Sequence, residues 1–342
     1  RYRFNFGPDF RYYRNGTFRN EESISSEGKN RASLSNQSDF SWTLDNLIYY
    51  DKEFGKHSVG LTLLQSATGY HYEESSMAAE GIPLESAKWN ALSKENVSLL
   101  DEWNSGLIEK QLLSYMFRVN YDYNNKYLLT VSGRWDGASQ LAEGNKWAFF
   151  PSAALGWRLD QEEFLKDVTW LNQLKFRLGV GVTGNSAIDP YQTKGAIVSL
   201  YYPFGSALAP GYAASEPLIK DGAVAMANKN LSWEKTTQYN IGLDYSVLNG
   251  RISGVLDFYT SRTTDLLMAM TIPSLNGYTN TYANVGKTSN IGVDITLNTV
   301  NVKTRDFEWS TSINAAWQKD KIDELANGKA VSYTHLRAHE TK

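Results

Sequence analysis

Apolar and polar residues alternate at period two through long stretches of this chain. Leu113, Tyr115, Phe117, Val119, Tyr121 and Tyr123 are separated by Ser114, Met116, Arg118, Asn120 and Asp122, the pattern of a strand with one oily face and one wet face. Asn124-Asn125 reads as a two-residue turn. Leu129, Val131, Gly133 and Trp135 then alternate with Thr130, Ser132, Arg134 and Asp136, which completes a hairpin. The pattern returns from Phe149 to Asp160 and again from Leu174 to Thr183.

The same reading extends along the chain. Residues 1 to 13 form a first strand, Phe40, Trp42, Leu44 and Leu47 mark a second, and Val59, Leu61 and Leu63 begin a third that runs to about Tyr72. A long excursion is expected from Glu73 to about Ile108, a helical turn at Glu162 to Lys166, and an irregular segment from Gly184 to Leu231 with a small hairpin around Ala196 to Tyr202. Strands resume at Tyr239 to Tyr245 and turn at Asn249-Gly250. They continue through Ile252, Leu256 and Phe258, then Ile291 to Leu297, then Phe307 to Trp317, with a loop from Asp265 to Lys287 between.

Strands of soluble sandwiches usually stop after about five or six residues. Here alternation persists for roughly ten, the length a tilted strand needs to cross a bilayer, and Tyr, Trp and Phe gather near strand ends as interfacial girdles do. Connections also sort by parity. They are short near Asp51, Asn124, Asp160, Asn249 and Asn301 and long near Asn20, Asn90, Leu141, Pro210 and Ser274, as periplasmic turns and extracellular loops do. The expected fold is therefore all-β, an antiparallel transmembrane β-barrel of about eleven spanning strands with lipid outside and a polar lumen.

Composition changes the picture only at its edges. With no Cys there is neither a disulfide framework nor a thiolate site, and a net charge of −3 leaves no basic stripe for nucleic acid. A mean hydropathy of −0.44 would suit a soluble protein, but a barrel wall is half polar by construction. No run of about 18 apolar residues exists to make a membrane-spanning helix. Arg1 is preceded by no Met and no leader, so the N-terminal part is expected to lie upstream. At the other end, residues 331–342 read like a translated sequencing adapter and are set apart as a non-native tail. The barrel is assigned to 1–330, as a fragment.

Phe150-Pro151-Ser152-Ala153-Ala154-Leu155-Gly156-Trp157-Arg158, Glu163-Phe164-Leu165, Leu174-Lys175-Phe176-Arg177 and Gly181-Val182-Thr183-Gly184-Asn185 with Tyr191 resemble, in that order, the SusC/RagA family of TonB-dependent outer-membrane transporters. Leu231-Ser232-Trp233-Glu234-Lys235-Thr236 before Asn240-Ile241-Gly242-Leu243-Asp244, and Asn284-Val285-Gly286 before Asn290-Ile291-Gly292-Val293-Asp294, agree. The resemblance implies a 22-stranded barrel of the cell outer membrane with an N-terminal plug, not an enzyme. It further implies a SusD-like lipoprotein as lid, and energy from TonB through a missing N-terminal segment. Its substrates would be oligosaccharides or peptides.

Other chemistry reads weakly. Gly179 to Gly184 matches G-x-G-x-x-G, but no helix follows to present its N-terminus to a phosphate, and small residues on a lumen-facing strand, where a plug would approach, account for it better. Glu73-Glu74 and Glu162-Glu163 are adjacent pairs, which on a strand face opposite ways. His335 and His339 fall in the tail, and His57 and His71 are too sparse for a site, so no metal, cofactor or catalytic residue is expected. The aromatics of the long loops remain. Trp89, Trp103, Tyr201, Tyr202, Phe204, Tyr212, Tyr278 and Tyr282 are candidates for contact with a sugar, a peptide or a lid protein. Two other readings stay open: a passive surface receptor or adhesin barrel, and a soluble carbohydrate-binding β protein.

Overall fold

The computed structural model describes residues 1–24, 28–82, 85–92, 99–194, 198–204, 207–213, 225–273, 278 and 280–325. The tail set apart at 331–342 lies outside them. Among them the strands are β1 (Tyr2–Arg19), β2 (Arg31–Phe54), β3 (His57–Glu80), β4 (Leu99–Tyr123), β5 (Tyr127–Ala138), β6 (Trp147–Arg158), β7 (Leu171–Asn185), β8 (Val198–Phe204), β9 (Ala207–Ala213), β10 (Ala225–Met226), β11 (Glu234–Val247), β12 (Ile252–Thr264), β13 (Leu267–Thr271), β14 (Asn280–Asn284), β15 (Lys287–Lys303) and β16 (Glu308–Glu324). Eleven of them form one antiparallel sheet in the order β1-β2-β3-β4-β5-β6-β7-β11-β12-β15-β16. The eleven spanning strands read from the alternation are these. No helix among the described residues is long and apolar enough to cross a membrane, a fact that leaves strands unaddressed.

The excursion expected from Glu73 is smaller than the sequence suggested. β3 continues to Glu80 and β4 begins at Leu99, so both strands outrun their alternation. The hairpin expected around Ala196 pairs Val198–Phe204 with Ala207–Ala213 instead. The loop expected from Asp265 to Lys287 contains β13 and β14, which join β10 in a three-stranded sheet. The helical turn at Glu162 resolves into two short 3₁₀ turns, Leu159–Gln161 and Glu163–Leu165.

By contacts the chain divides into two compact units, Arg1–Arg3, Leu47–Gln65 and Ser114–Lys342 in one, Phe4–Asn46 and Ser66–Leu113 in the other. In the first, register lines up one apolar row across seven strands: Leu129, Leu155, Leu178, Ile241, Phe258, Val293 and Trp317. Among the described residues no second layer of protein covers it. Leu155 is 55% exposed, Ile241 48%, Phe258 44% and Trp317 58%. Apolar rows this long and this bare are stable facing hydrocarbon and costly facing water.

Aromatic rings bound the row on both sides. On the side of the short turns, Phe54, His57, Tyr123, Tyr127 and Trp157 follow one another with ring centroids 5.0 to 6.5 Å apart. On the other side Trp135 lies 4.2 Å from Phe149 and Tyr115 lies 6.2 Å from Trp147. From Tyr127 to Trp135 is eight positions, or about 26 Å of strand at 3.3 Å per residue, close to the 9–11 residues with which a tilted strand crosses a bilayer.

The band also slides along the sheet. Val131, mid-band on β5, is connected through Ala153, Val180, Tyr239, Thr260 and Ile291 to Lys319 on β16. Lys319 is charged, and the middle of the apolar run on β16, Ile313, lies six positions nearer the short turns. One residue per strand, about 3.3 Å for each 4.8 Å step, is the drift of a sheet whose strands tilt about 35° from the membrane normal.

The opposite face is polar and mutually bonded. Ser132 pairs with Ser152 at 2.6 Å, Thr236 with Thr263 at 2.8 Å, and Thr296 donates to Asn314 at 3.0 Å. Among the described residues fully buried apolar side chains are few. In the first unit they gather around Phe150, Leu141, Leu231 and Trp233 rather than beneath the sheet. The second unit has its own small cluster, where Ala32, Ala79 and Ile82 are buried and Asn30 donates to the Ile82 carbonyl at 3.0 Å.

Candidate functional site

On the polar face of the first unit, glycine and alanine open a shallow groove. Gly60, Ala154, Gly156 and Gly179 give its floor no side chain larger than a methyl, and the space measures about 470 Å³. Lys175 and Arg177 line it together with Asp51, Asp122, Asn120 and Asn240, so charges of both signs meet over a small-residue floor. Arg177 is itself held by two carboxylates. Its Nε donates to Asp244 at 2.9 Å and its Nη2 to Asp257 at 3.1 Å. Gly242 makes room for this triad, because a Cβ there would stand 2.5 to 2.6 Å from the Asp257 carboxylate and the Arg177 guanidinium. The run from Gly179 to Gly184 stays in strand β7 throughout, so it builds wall and not a phosphate loop.

At the long-loop end of this unit a platform is assembled from three separated segments. Trp233, 5% exposed, meets Phe150 edge to face at 5.3 Å and donates its indole N–H to the Lys146 carbonyl at 2.8 Å. Ala142 donates to the Leu231 carbonyl at 3.1 Å. Asn284 then ties in the third segment: its Oδ1 accepts from the Ser232 N–H at 2.8 Å, and its Nδ2 donates to the Ser232 carbonyl at 2.8 Å and the Asp265 carbonyl at 3.0 Å. Gly286, two residues on, takes a φ of 94° that a side chain would resist. The Leu231-Ser232-Trp233 and Asn284-Val285-Gly286 motifs are thus two halves of one fastening, a role that spacing along the chain gives no way to see.

At the short-turn end, Glu162 is a hub. It accepts from Tyr127 at 2.8 Å and Trp157 at 2.9 Å and pairs with Lys126 at 2.6 Å, and these bonds, led by Lys126, hold its carboxyl below the usual glutamate range. Burial alone would raise the neighbouring Asp160 carboxyl, but Arg158, Gln161 and the Leu174 N–H outweigh it and keep that group low. Glu163 turns away to Lys166 at 2.6 Å.

The loop aromatics fall on several different segments of the two units. Trp89 sits in a 3₁₀ segment of the second unit over Gly16, and Trp103 on β4 is 77% exposed. Tyr282 lies on β14, half-buried, its carbonyl taking Asn228 Nδ2 at 2.7 Å, so it belongs to the platform. Tyr278 is half-buried nearby in sequence. Tyr201, Tyr202, Phe204 and Tyr212 belong to the β8–β9 hairpin, and their side chains fall outside the description. Glu73 and Glu74 point to opposite faces, toward His71 at 3.1 Å and Tyr72 at 2.6 Å respectively.

A bare apolar band between aromatic rows, a polar inner wall and a loop platform on one side describe an outer-membrane barrel wall. The family model for the TonB dependent receptor-like β-barrel matches residues 1–338. The chain belongs to that family. It is 34% identical over 328 residues to TonB-dependent receptor P26 of Formosa agariphila, covering 94% of this chain and 32% of that protein. It is 38% identical over 256 residues to TonB-dependent receptor SusC of Bacteroides thetaiotaomicron, covering 72% and 24%. Among solved structures it superposes on that of the RagAB peptide transporter with a TM-score of 0.83, at 23% identity, over 96% of this chain and 35% of that one. The SusC/RagA likeness carried by the motifs is therefore shown, and this receptor barrel resides in the outer membrane. The chain spans about a third or less of the length of these relatives.

Proposed function

We propose that this chain forms part of the barrel of an energised outer-membrane importer of oligosaccharides or peptides. In this reading it works with a SusD-like lipoprotein lid and draws on TonB. The observation that carries the proposal is the pairing of a lipid-facing apolar row with a charged, small-floored inner wall, in a chain whose relatives include SusC. A wall of this kind leaves room for a mobile segment in the lumen while keeping polar groups available to a hydrated solute. On the described inner wall the carboxylates of Asp244 and Asp257 are both engaged by Arg177, and the chemistry asked of the wall in this reading is binding and passage. Residues 1–330 are proposed as barrel, and the exposed Trp103 and the Tyr278–Tyr282 region as contacts for solute or lid.

The test is uptake by cells carrying the complete gene. Deletion is expected to abolish accumulation of one labelled class, oligosaccharide or peptide, and a second deletion of TonB is expected to give the same loss. Uptake that survives TonB deletion would support a passive receptor instead.

A further inference from the structure

On the inner face of the first unit, polar side chains encircle one aromatic ring. Cross-strand register sets Asn240, Tyr259, Gly292 and Gln318 in a row across β11, β12, β15 and β16. On one side of it runs the row Gln238, Ser261, Asn290 and Asp320, and on the other Gly242, Asp257, Asp294 and Ala316. Strand parity turns all of these inward, because their chain neighbours Phe258, Val293 and Trp317 belong to the apolar row. Tyr259 is half-buried and leans over Gly292, which is buried; a Cβ at Gly292 would collide with the Cζ and hydroxyl of the tyrosine. The hydroxyl comes within 3.5 Å of Gln318 Oε1. The missing side chain lets the ring lie down on the wall, and the side of the ring away from the glycine is left to the lumen.

Around that ring much hydrogen-bonding capacity is unspent. Asn290 donates to one oxygen of Asp320 and leaves the other to solvent. Asp294 is exposed and forms no ion pair among the described residues, and the side chains of Gln238 and Asn240 form no hydrogen bond among them. Gln318 uses only its oxygen, so its amide N–H groups remain to be given. Cations are the scarce partner. Arg177, across Gly242, is taken by Asp244 and Asp257, and Lys175 stands opposite Asp244.

An aromatic plate ringed by amides and carboxylates fits one kind of solute. A neutral sugar has a C–H face that lies against an aromatic ring and, at its edge, hydroxyls that both donate and accept. A uronate, a phosphorylated sugar or the carboxylate end of a peptide would bring negative charge up to Asp294 and Asp320. Depth narrows the role. Phe258 and Val293, beside Tyr259 and Gly292 on their strands, lie in the apolar row, so the ring stands within the membrane span, next to the Asn240 edge of the groove, and not at the mouth. We propose that Tyr259, laid on Gly292, is a stacking subsite on the passage itself, where one neutral sugar unit rests on the ring and bonds through its hydroxyls to Asp294, Gln318 and Asn240. The subsite rests on the importer reading and resolves it toward neutral oligosaccharides.

The experiment uses cells carrying the complete gene, with receptor amount and folding read from heat-modifiable electrophoretic mobility. Initial uptake rates are measured for labelled pools of neutral oligosaccharides from glucan, mannan and galactan, of uronate oligosaccharides from polygalacturonate, and of short peptides. The parent is expected to take up the neutral pool in a TonB-dependent way, and Tyr259→Ala to raise the concentration for half-maximal uptake about tenfold. Gly292→Ala, which lifts the ring without removing it, is expected to do the same. Tyr259→Phe, which keeps the plate, and Ile291→Val, on the lipid face, are expected to stay near the parent. Should Tyr259→Ala not fold, Tyr259→Leu, which covers Gly292 without a plate, takes its place. Parent-like half-maximal concentrations in the folded variants that lack the plate would overturn the subsite, while TonB-dependent uptake of the neutral pool left the importer reading standing. Preferred uptake of the uronate or peptide pool would overturn the substrate class and the subsite together. Uptake of no pool would bring down the importer reading, and the subsite with it.

Discussion

Trp157 donates its indole N–H to Glu162 across 2.9 Å, and the hydroxyl of Tyr127 reaches the same carboxylate oxygen from the neighbouring strand at 2.8 Å. One acidic side chain in a short turn thus fixes the polar tips of two girdle aromatics, with Lys126 supplying the counter-charge at 2.6 Å. Without that anchor the two rings would be free to tilt within the interface, and the edge of the band would blur.

Replacing Glu162 with Ala is expected to lower the unfolding temperature and to red-shift Trp157 emission, while Glu162→Gln keeps the accepting oxygen and loses only the charge. The pH dependence follows from the depressed carboxyl. Its contribution is complete above the ordinary glutamate range and is lost as pH falls through the lower folded-state value. Acid unfolding of Glu162→Gln is therefore expected to be less steep in that window. Thermal melts of both variants between pH 3 and 7 check this.

Charge placed in the band is the second case. Leu129→Arg or Val131→Arg, each on the outward apolar face, is expected to cost about 2–4 kcal/mol if that face meets the bilayer midplane. The same change at Ser132, one residue along and facing inward, is expected to cost less. Refolding titrations into lipid vesicles measure the difference.

Gly242 carries the third. Its substitution by Ala puts a methyl against the Arg177–Asp257 contact, and because Arg177 is held from two sides the pair cannot simply step aside. A loss of about 1–3 kcal/mol is expected from overpacking. Restored stability in Gly242→Ala combined with Arg177→Ala would show that the collision, and not the backbone, is responsible.

The loop platform gives the fourth. Trp233→Ala removes a buried ring and is expected to cost about 3–5 kcal/mol locally, and Asn284→Ala removes three hydrogen bonds around Ser232 and Asp265. Both are expected to speed amide exchange across 226–233 and 265–271 while leaving β5 to β7 protected. Uniform acceleration over the whole sheet would contradict a local fastening.

Much of this was legible in the chain because lipid writes a clear signal. Wherever a strand faces hydrocarbon on one side, every second residue must be apolar, and β5, β6, β7, β11 and β12 were all found from that alternation alone. The signal ends where the lipid does. Glu73 to Glu80 continues β3 through Glu73-Glu74-Ser75-Ser76, whose residue types are polar on both faces and so show no alternation, and the excursion read there was too long for that reason. β13 and β14 hid likewise behind a loop of mixed composition. Of the eight loop aromatics, Tyr282 is placed on β14 within the platform and Trp103 stands exposed on β4. What residue-by-residue reading missed was the fastening itself, in which Asn284 meets Ser232 across 52 positions and Trp233 meets Lys146 across 87. Motif likeness marked them without saying what they fasten.

The claim on which the account rests is that the row from Leu129 to Trp317 faces hydrocarbon. Spin labels placed singly at Val131, Leu155 and Ile241, and at the inward positions Ser132, Gly156 and Asn240, in the full-length receptor reconstituted in lipid, test it most directly. The first set is expected to collide readily with oxygen and little with a water-soluble nickel complex, and the second set the reverse. Equal nickel access at both sets, or its inversion, would contradict a lipid-facing band.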